Sequence, residues 1–237
     1  KIKALPQGRS GIVTLGISPD GKRIVAGNRD KDGEEGLFYI HQIEGKSKPV
    51  QLEGGTAWSS RTTIAFSPDG KLIAGPSELN GRSMFYIWDA ETGKVIHGFK
   101  EGGYNFGLFS PDGKWVAGCG LNNIQVWDVK TGAEVFRHQG ESINQHVWSL
   151  AFSPKGDVMA TGVEKSVRFW DTRSWKVIKP SKTHHTPVQS IKFSADGKYL
   201  VSGCKEGRVV LWDWEKKAEN WVNNELAHLS FRKVLNK

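Results

Sequence analysis

Two short patterns recur along this chain at one period, and they limit its fold more than any other feature. Ser18-Pro19-Asp20-Gly21, Ser67-Pro68-Asp69-Gly70, Ser110-Pro111-Asp112-Gly113, Ser153-Pro154-Lys155-Gly156 and Ser194-Ala195-Asp196-Gly197 align, with their glycines 49, 43, 43 and 41 residues apart. Trp88-Asp89, Trp127-Asp128, Trp170-Asp171 and Trp212-Asp213 keep the same beat, separated by 39, 43 and 42 residues. Two independent markers at one spacing define a repeated supersecondary unit.

Each unit reads as β-structure. Short apolar alternations such as Thr63-Ile64-Ala65-Phe66 and Ser149-Leu150-Ala151-Phe152 precede the turn. Pro then suits the first central position of a type I turn, and Gly the left-handed position that closes a three-residue hairpin. A second strand follows, as in Trp115-Val116-Ala117. A third ends in Trp-Asp, as in Val209-Val210-Leu211-Trp212, and a weaker fourth follows turns such as Glu91-Thr92-Gly93. Four antiparallel strands per unit, apolar on both faces, cannot bury themselves alone and must stack on neighbours. The fold class expected is all-β, a β-propeller of four-stranded antiparallel blades. Its repeats run approximately over residues 11–55, 60–100, 103–140, 146–182 and 187–225.

The Ser-Pro-Asp-Gly-Lys turn, the Gly-rich end of the second strand and the Trp-Asp dipeptide make the chain resemble the WD-repeat family of β-propellers over about residues 11–217. The first unit departs, with His41-Gln42 where Trp-Asp would stand. The resemblance implies a buried network of Asp, His, Ser/Thr and Trp. In the fifth unit it maps onto His185, Ser202 and Trp212, with Glu206 at the Asp position; the other units lack one or more members.

Five repeats fit either a closed five-bladed ring or part of a larger propeller, for instance a seven-bladed one, since rings run from four to eight blades. Lys1-Ile2-Lys3-Ala4-Leu5 reads as an outer strand, and residues 217–222 already supply one for the fifth unit, leaving one strand too many. With an opening Lys rather than Met, this favours a piece of a longer protein.

Composition fits a packed core, with 38% hydrophobic and 24% charged residues. Its apolar runs are far shorter than the roughly 20 residues needed to span a bilayer as a helix, so no membrane span is expected. Cys119 and Cys204 occupy equivalent places in non-adjacent units and read as small buried hydrophobes rather than a disulfide. That pattern fits a reducing, intracellular and cytoplasmic setting. Net charge is +8, but 25 acidic residues are interspersed among 33 basic ones.

Catalytic signatures are absent from the sequence: no phosphate-binding glycine loop, nucleophile elbow, His-Glu-x-x-His or paired-cysteine motif occurs. Neither cofactor nor metal is expected, and the chain reads as no enzyme. The resemblance instead implies binding at the channel-mouth face, opposite the Ser-Pro-Asp-Gly hairpins. Aligned first strands place Val13, Thr62, Asn105, Trp148 and Gln189 at one equivalent position there, with Trp58, Arg61, Tyr104, His146 and Arg208 in nearby loops. Trp148 is the large residue of the aligned set; it serves either as a partner contact, the role in which Trp is enriched, or as packing between blades. Trp175 and Trp221 fall on outer strands, to cover a blade edge or to make a side contact.

Three functions follow. The first is a non-catalytic scaffold or adaptor that binds other proteins, as a subunit of a multiprotein complex. The second is a nucleic-acid-associated subunit using the basic surface. The third is a propeller module of a multidomain enzyme or sensor.

Overall fold

In the Ser-Pro-Asp-Gly turn, the Ser67 hydroxyl donates to Asp69 Oδ1 (2.6 Å) and accepts from the Leu72 amide (2.9 Å), while the Lys71 amide donates to the same carboxylate (3.0 Å). The same lattice recurs around Ser18, Ser110 and Ser194. The turn glycines sit in the left-handed region, from φ +68° at Gly21 to +73° at Gly156 and Gly197, where a Cβ is unfavourable. In the fourth turn Lys155 replaces the aspartate, and Ser153 donates instead to Asp157 (2.7 Å). Hydrogen bonds from the Ser18, Ser67 and Ser194 hydroxyls hold Asp20, Asp69 and Asp196 below the usual carboxylate range. These carboxylates are turn parts, each occupied by its own loop.

The computed structural model describes residues 11–28, 36–44, 47–57, 63–79, 82–100, 104–140, 145–182 and 184–213. They form five antiparallel meanders. The first contains β1 (Ile12–Ile17), β2 (Arg23–Asn28), β3 (Gly36–Gln42) and β4 (Val50–Ala57). The second contains β5 (Ala65–Phe66), β6 (Leu72–Leu79), β7 (Arg82–Asp89) and β8 (Val95–Lys100). The third contains β9 (Tyr104–Phe109), β10 (Trp115–Gly120), β11 (Asn123–Asp128) and β12 (Glu134–Gln139). The fourth contains β13 (Val147–Phe152), β14 (Val158–Val163), β15 (Ser166–Asp171) and β16 (Val177–Lys182). The fifth shows β17 (Val188–Phe193), β18 (Tyr199–Cys204) and β19 (Val209–Asp213). The expected fourth strand at 217–222, the strand at 1–5 and Trp221 lie outside the described residues. No helix long and apolar enough to cross a membrane occurs among the described residues.

The Trp-Asp dipeptide closes the third strand and starts the next turn. Asp89 Oδ1 accepts from the Thr92 amide and hydroxyl, both at 2.7 Å, and Asp128 and Asp171 do the same with Thr131 and Ser174. Those bonds, the backbone one first, lower all three carboxyls from their ordinary value.

Two compact units result, residues 1–144 and 145–237. In the first, Val25, Phe38, Ile40, Leu52, Ile73 and Trp88 form a core between the first and second sheets. Phe85, Tyr104, Val116 and Trp127 form another between the second and third. Phe85 stacks on Trp127 with ring centroids 5.1 Å apart. In the second unit, Val167, Phe169, Val188, Leu200 and Trp212 bury the space between the fourth and fifth sheets.

A polar tie joins the first two sheets. Arg23 donates to the Gly70 carbonyl (2.7 Å) and the Ala90 carbonyl (3.0 Å) and lies 5.5 Å over the Phe66 ring. Arg23→Ala is expected to cost about 1–2 kcal/mol, read as a lowered urea midpoint, with Arg23→Lys recovering only part because one ammonium cannot span both carbonyls. An unchanged midpoint in Arg23→Ala would show that this tie contributes nothing.

Candidate functional site

Equivalent first strands share one irregularity. Ile12 pairs with Asn28 and Thr14 with Gly27, leaving Val13 as an extra residue. Likewise Asn105 is extra between Tyr104 and Phe106, Trp148 between Val147 and Ser149, and Gln189 between Val188 and Ser190. These are β-bulges, which break the in–out alternation and re-aim the extra side chain. Val13, Asn105 and Trp148 are half-buried and Gln189 is exposed. The residues that the sequence aligns at one position are therefore the bulge residues of four sheets, each on the edge strand that starts its meander.

The second unit builds most around its bulges. His146 stacks on Trp148 with centroids 5.1 Å apart and planes at 21°. Beneath them, Glu164 occupies a left-handed conformation (φ +49°) in the two-residue link between β14 and β15. Its carboxylate accepts from the His146 amide (3.1 Å), and its carbonyl accepts from the Val188 amide (2.7 Å). Ser149 donates to the Val188 carbonyl (3.3 Å). Glu164 thus fastens β13, with Trp148, to β17, with Gln189. Sequence reasoning misses this residue; the only signal is a link too short for anything but a tight turn, with no glycine in it.

Close by, the buried network differs from expectation by one residue. His184, 5% exposed, bonds Ser202 Oγ through Nε2 (2.8 Å), and Trp212 Nε1 donates to the same oxygen (2.9 Å). His185 is exposed and its Nε2 meets Arg208 Nη1 at 3.1 Å. The histidine under the sheet is His184, because its amide is held by the Lys165 carbonyl (3.2 Å), which turns its ring inward and the next one out. Glu206 is exposed, and His184 Nδ1 is buried with no hydrogen-bond partner among the described residues. The network therefore stops at three members. Burial pushes the His184 pKa down to about 4, with Arg208 and His185 adding in the same direction. The fourth sheet has a shorter version, in which Trp170 Nε1 donates to Thr161 Oγ1 (2.9 Å).

Tyr104 is a core residue, not a surface contact. It is fully buried, edge-on to Phe85 and Trp127, and its hydroxyl donates to Gln125 Oε1. Gln125 Nε2 donates in turn to Glu134 (2.8 Å), which is paired with Arg137 (2.8 Å). Tyr104 keeps its register pairing with Gly120 and so faces the core, while Asn105 is the extra residue of the bulge. Asn105 remains half-buried, its carbonyl accepting from the Thr63 amide (3.0 Å). Trp58, Arg61 and Thr62 lie outside the described residues.

Both cysteines are free and buried. Burial pushes the Cys119 thiol up. At Cys204 burial also pushes up, but hydrogen bonds from the Thr186 hydroxyl and the Glu206 and Arg208 amides outweigh it, leaving the thiol below its ordinary value. No cluster of three or more His, Cys, Asp or Glu residues suited to a metal occurs among the described residues.

The chain matches the family model for the WD domain, G-beta repeat, over residues 105–128, 137–171 and 175–213. It is 33% identical over 214 residues to pre-mRNA-processing factor 19 of Oryza sativa subsp. japonica, covering 84% of this chain and 37% of that protein. It is 27% identical over 210 residues to protein groucho of Drosophila melanogaster, covering 85% of this chain and 26% of that protein. A WD-repeat-containing protein of Synechocystis sp. is 28% identical over 147 residues, covering 60% of this chain and 41% of that protein. The chain thus spans between about a quarter and two fifths of the length of these relatives. With the repeated Ser-Pro-Asp-Gly turns, the Trp-Asp closures and five all-antiparallel blade-type sheets, these matches place the chain in the WD-repeat family of β-propeller proteins.

Proposed function

We propose that this chain is a non-catalytic scaffold that binds other proteins through its bulge-bearing strand starts, within a multiprotein complex. The supporting observation is the Trp148 bulge: a half-buried indole stacked on His146, whose amide Glu164 holds, on a strand that Glu164 also ties to the strand of the exposed Gln189. A large aromatic held rigid at a partly exposed position loses little entropy on binding and is the commonest kind of interface anchor. Asn105 holds the equivalent bulge position in the first unit, and Trp58, Arg61 and Thr62 are candidate contacts of that unit on their sequence positions alone. Relatives that include a pre-mRNA-processing factor are in keeping with a role in an assembly.

The test is quantitative affinity capture with the full chain against Trp148→Ala. Partners recovered with the parent are expected to fall by about tenfold or more, the scale of a hot-spot truncation, while Tm moves by only a few degrees. Undiminished recovery with Trp148→Ala overturns the reading. Recovery lost for every partner by raising salt from about 0.05 to 0.2 M, with nucleic acid in the eluate, would favour the nucleic-acid reading, because counterion release gives that steep dependence.

A further inference from the structure

The fourth sheet carries a second unusual feature, at the edge away from Trp148. In the turn that follows each Trp-Asp, one residue adopts the left-handed conformation and donates its amide to the aspartate carbonyl. In the second and third sheets it is Gly93 (φ +71°, 2.9 Å) and Gly132 (φ +72°, 2.8 Å). In the fourth it is Trp175 (φ +54°, 2.7 Å). A bulky side chain is a genuine outlier there. The turn itself does not call for it, since glycine builds the same hydrogen bonds twice in this chain. A backbone cost borne by one large, half-buried residue points to a use for its side chain.

What surrounds Trp175 specifies that use. From Thr172 to Lys182 the chain carries Arg173, Lys176, Lys179 and Lys182 and no acidic residue. The equivalent stretches include Glu91 in the second sheet, and Glu134, paired with Arg137, in the third. The nearest carboxylate, Asp171 Oδ1, is taken by the Arg173 amide (3.1 Å) and by the Ser174 amide and hydroxyl (2.8 and 2.9 Å). Arg173 and Lys176 are in no ion pair among the described residues. Directly after Lys176, Val177 and Ile178 are each 42% exposed, on β16, the last strand of its sheet. Pro180, opposite Arg168 in register, lacks an amide hydrogen and so blunts simple strand addition along the whole edge. Recognition here therefore rests on side chains around residues 173–178.

We propose that the Trp175–Ile178 edge of the fourth sheet is a lateral docking site for an acidic segment of a partner protein that alternates carboxylates with aliphatic residues. Its carboxylates pair with Arg173 and Lys176, and its aliphatic side chains cover Trp175, Val177 and Ile178. The aliphatic exposure favours this partner over a nucleic acid, whose phosphates gain nothing from Val177 or Ile178.

The test is fluorescence anisotropy with the full chain at about 0.15 M salt, where weak surface attraction is screened. The probe is a fluorescein-labelled ten-residue peptide of Glu-Leu-Asp-Val repeats, run beside its Lys-for-acid counterpart and a ten-nucleotide oligothymidine. Saturable binding of the acidic peptide alone is expected. Trp175→Gly should weaken it about fivefold with the far-ultraviolet circular dichroism spectrum unchanged, because glycine builds the same turn after β7 and β11. The Arg173→Glu/Lys176→Glu double variant should weaken it at least about tenfold. The control Lys155→Glu, an exposed turn residue with an equal change per residue in net charge, should leave it unchanged. The proposal is overturned if both site variants bind like the parent, if Lys155→Glu loses as much as the double variant, or if the oligonucleotide binds more tightly than the peptide.

Discussion

Trp88→Ala is expected to destabilise the first unit by about 3–5 kcal/mol, the range for emptying a large buried aromatic site. Trp88 is fully buried, 6.2 Å from Phe38 in an edge-on pair and 5.4 Å from Tyr86. Its Nε1 donates to the Glu53 carbonyl at 2.8 Å. Truncation thus opens a cavity at the junction of the first and second sheets and strands a carbonyl of β4. Trp88→Phe separates the two terms: it keeps most of the packing and loses the donor, and should cost about 1–3 kcal/mol. Urea titration followed by far-ultraviolet circular dichroism checks both. A Trp88→Ala midpoint within error of the parent would mean that this core does not hold the two sheets together.

The second large effect is a loss of stability as pH falls from 7 to 4. His184 is buried neutral with a folded-state pKa of about 4, below the ordinary histidine value of 6.5. The unfolded chain therefore takes up the proton first as pH drops. The stability is complete above about pH 6.5, declines between there and about pH 4, and declines no further from this group once both states are protonated. That difference in pKa corresponds to on the order of 3 kcal/mol across the window. The physical cause is desolvation: the ring lies under Ser202 and Trp212 with an unpartnered Nδ1, so protonation would bury a charge beside Arg208 and His185. His184→Gln keeps a polar group near Ser202 but cannot titrate. The difference between parent and variant in urea midpoint should shrink or reverse as pH is lowered from 7 to 4. A difference that stays constant with pH would rule out His184 as the titrating group. Asp69 and Asp89, whose folded pKa values are lowered from 3.8, act below that window, from about pH 4 downward, and equally in both proteins.

These two experiments probe opposite ends of what could be read in advance. Trp88 belongs to the Trp-Asp marker, whose period and strand setting place it in a core before any coordinates are known. His184 does not: two adjacent histidines present the same local pattern, and a one-residue difference in backbone direction decides which enters the sheet. The aligned set Val13, Asn105, Trp148 and Gln189 was legible as one position because a repeat transfers geometry from unit to unit. That the position is a bulge was not, because register is a property of two strands together.

The amino-acid sequence by itself determined the repeating unit, its antiparallel hairpins and its turns. Those rest on hydrogen bonds within about five residues, such as Ser67 to Asp69 and Leu72, and on glycine at left-handed positions. Only the tertiary structure decided that Tyr104 is core, that Glu164 fastens β13 to β17, and that His184 rather than His185 lies under Ser202. Each of these depends on which distant strand lies alongside. Burial and long-range pairing are set by packing between sheets, and no local pattern carries that information.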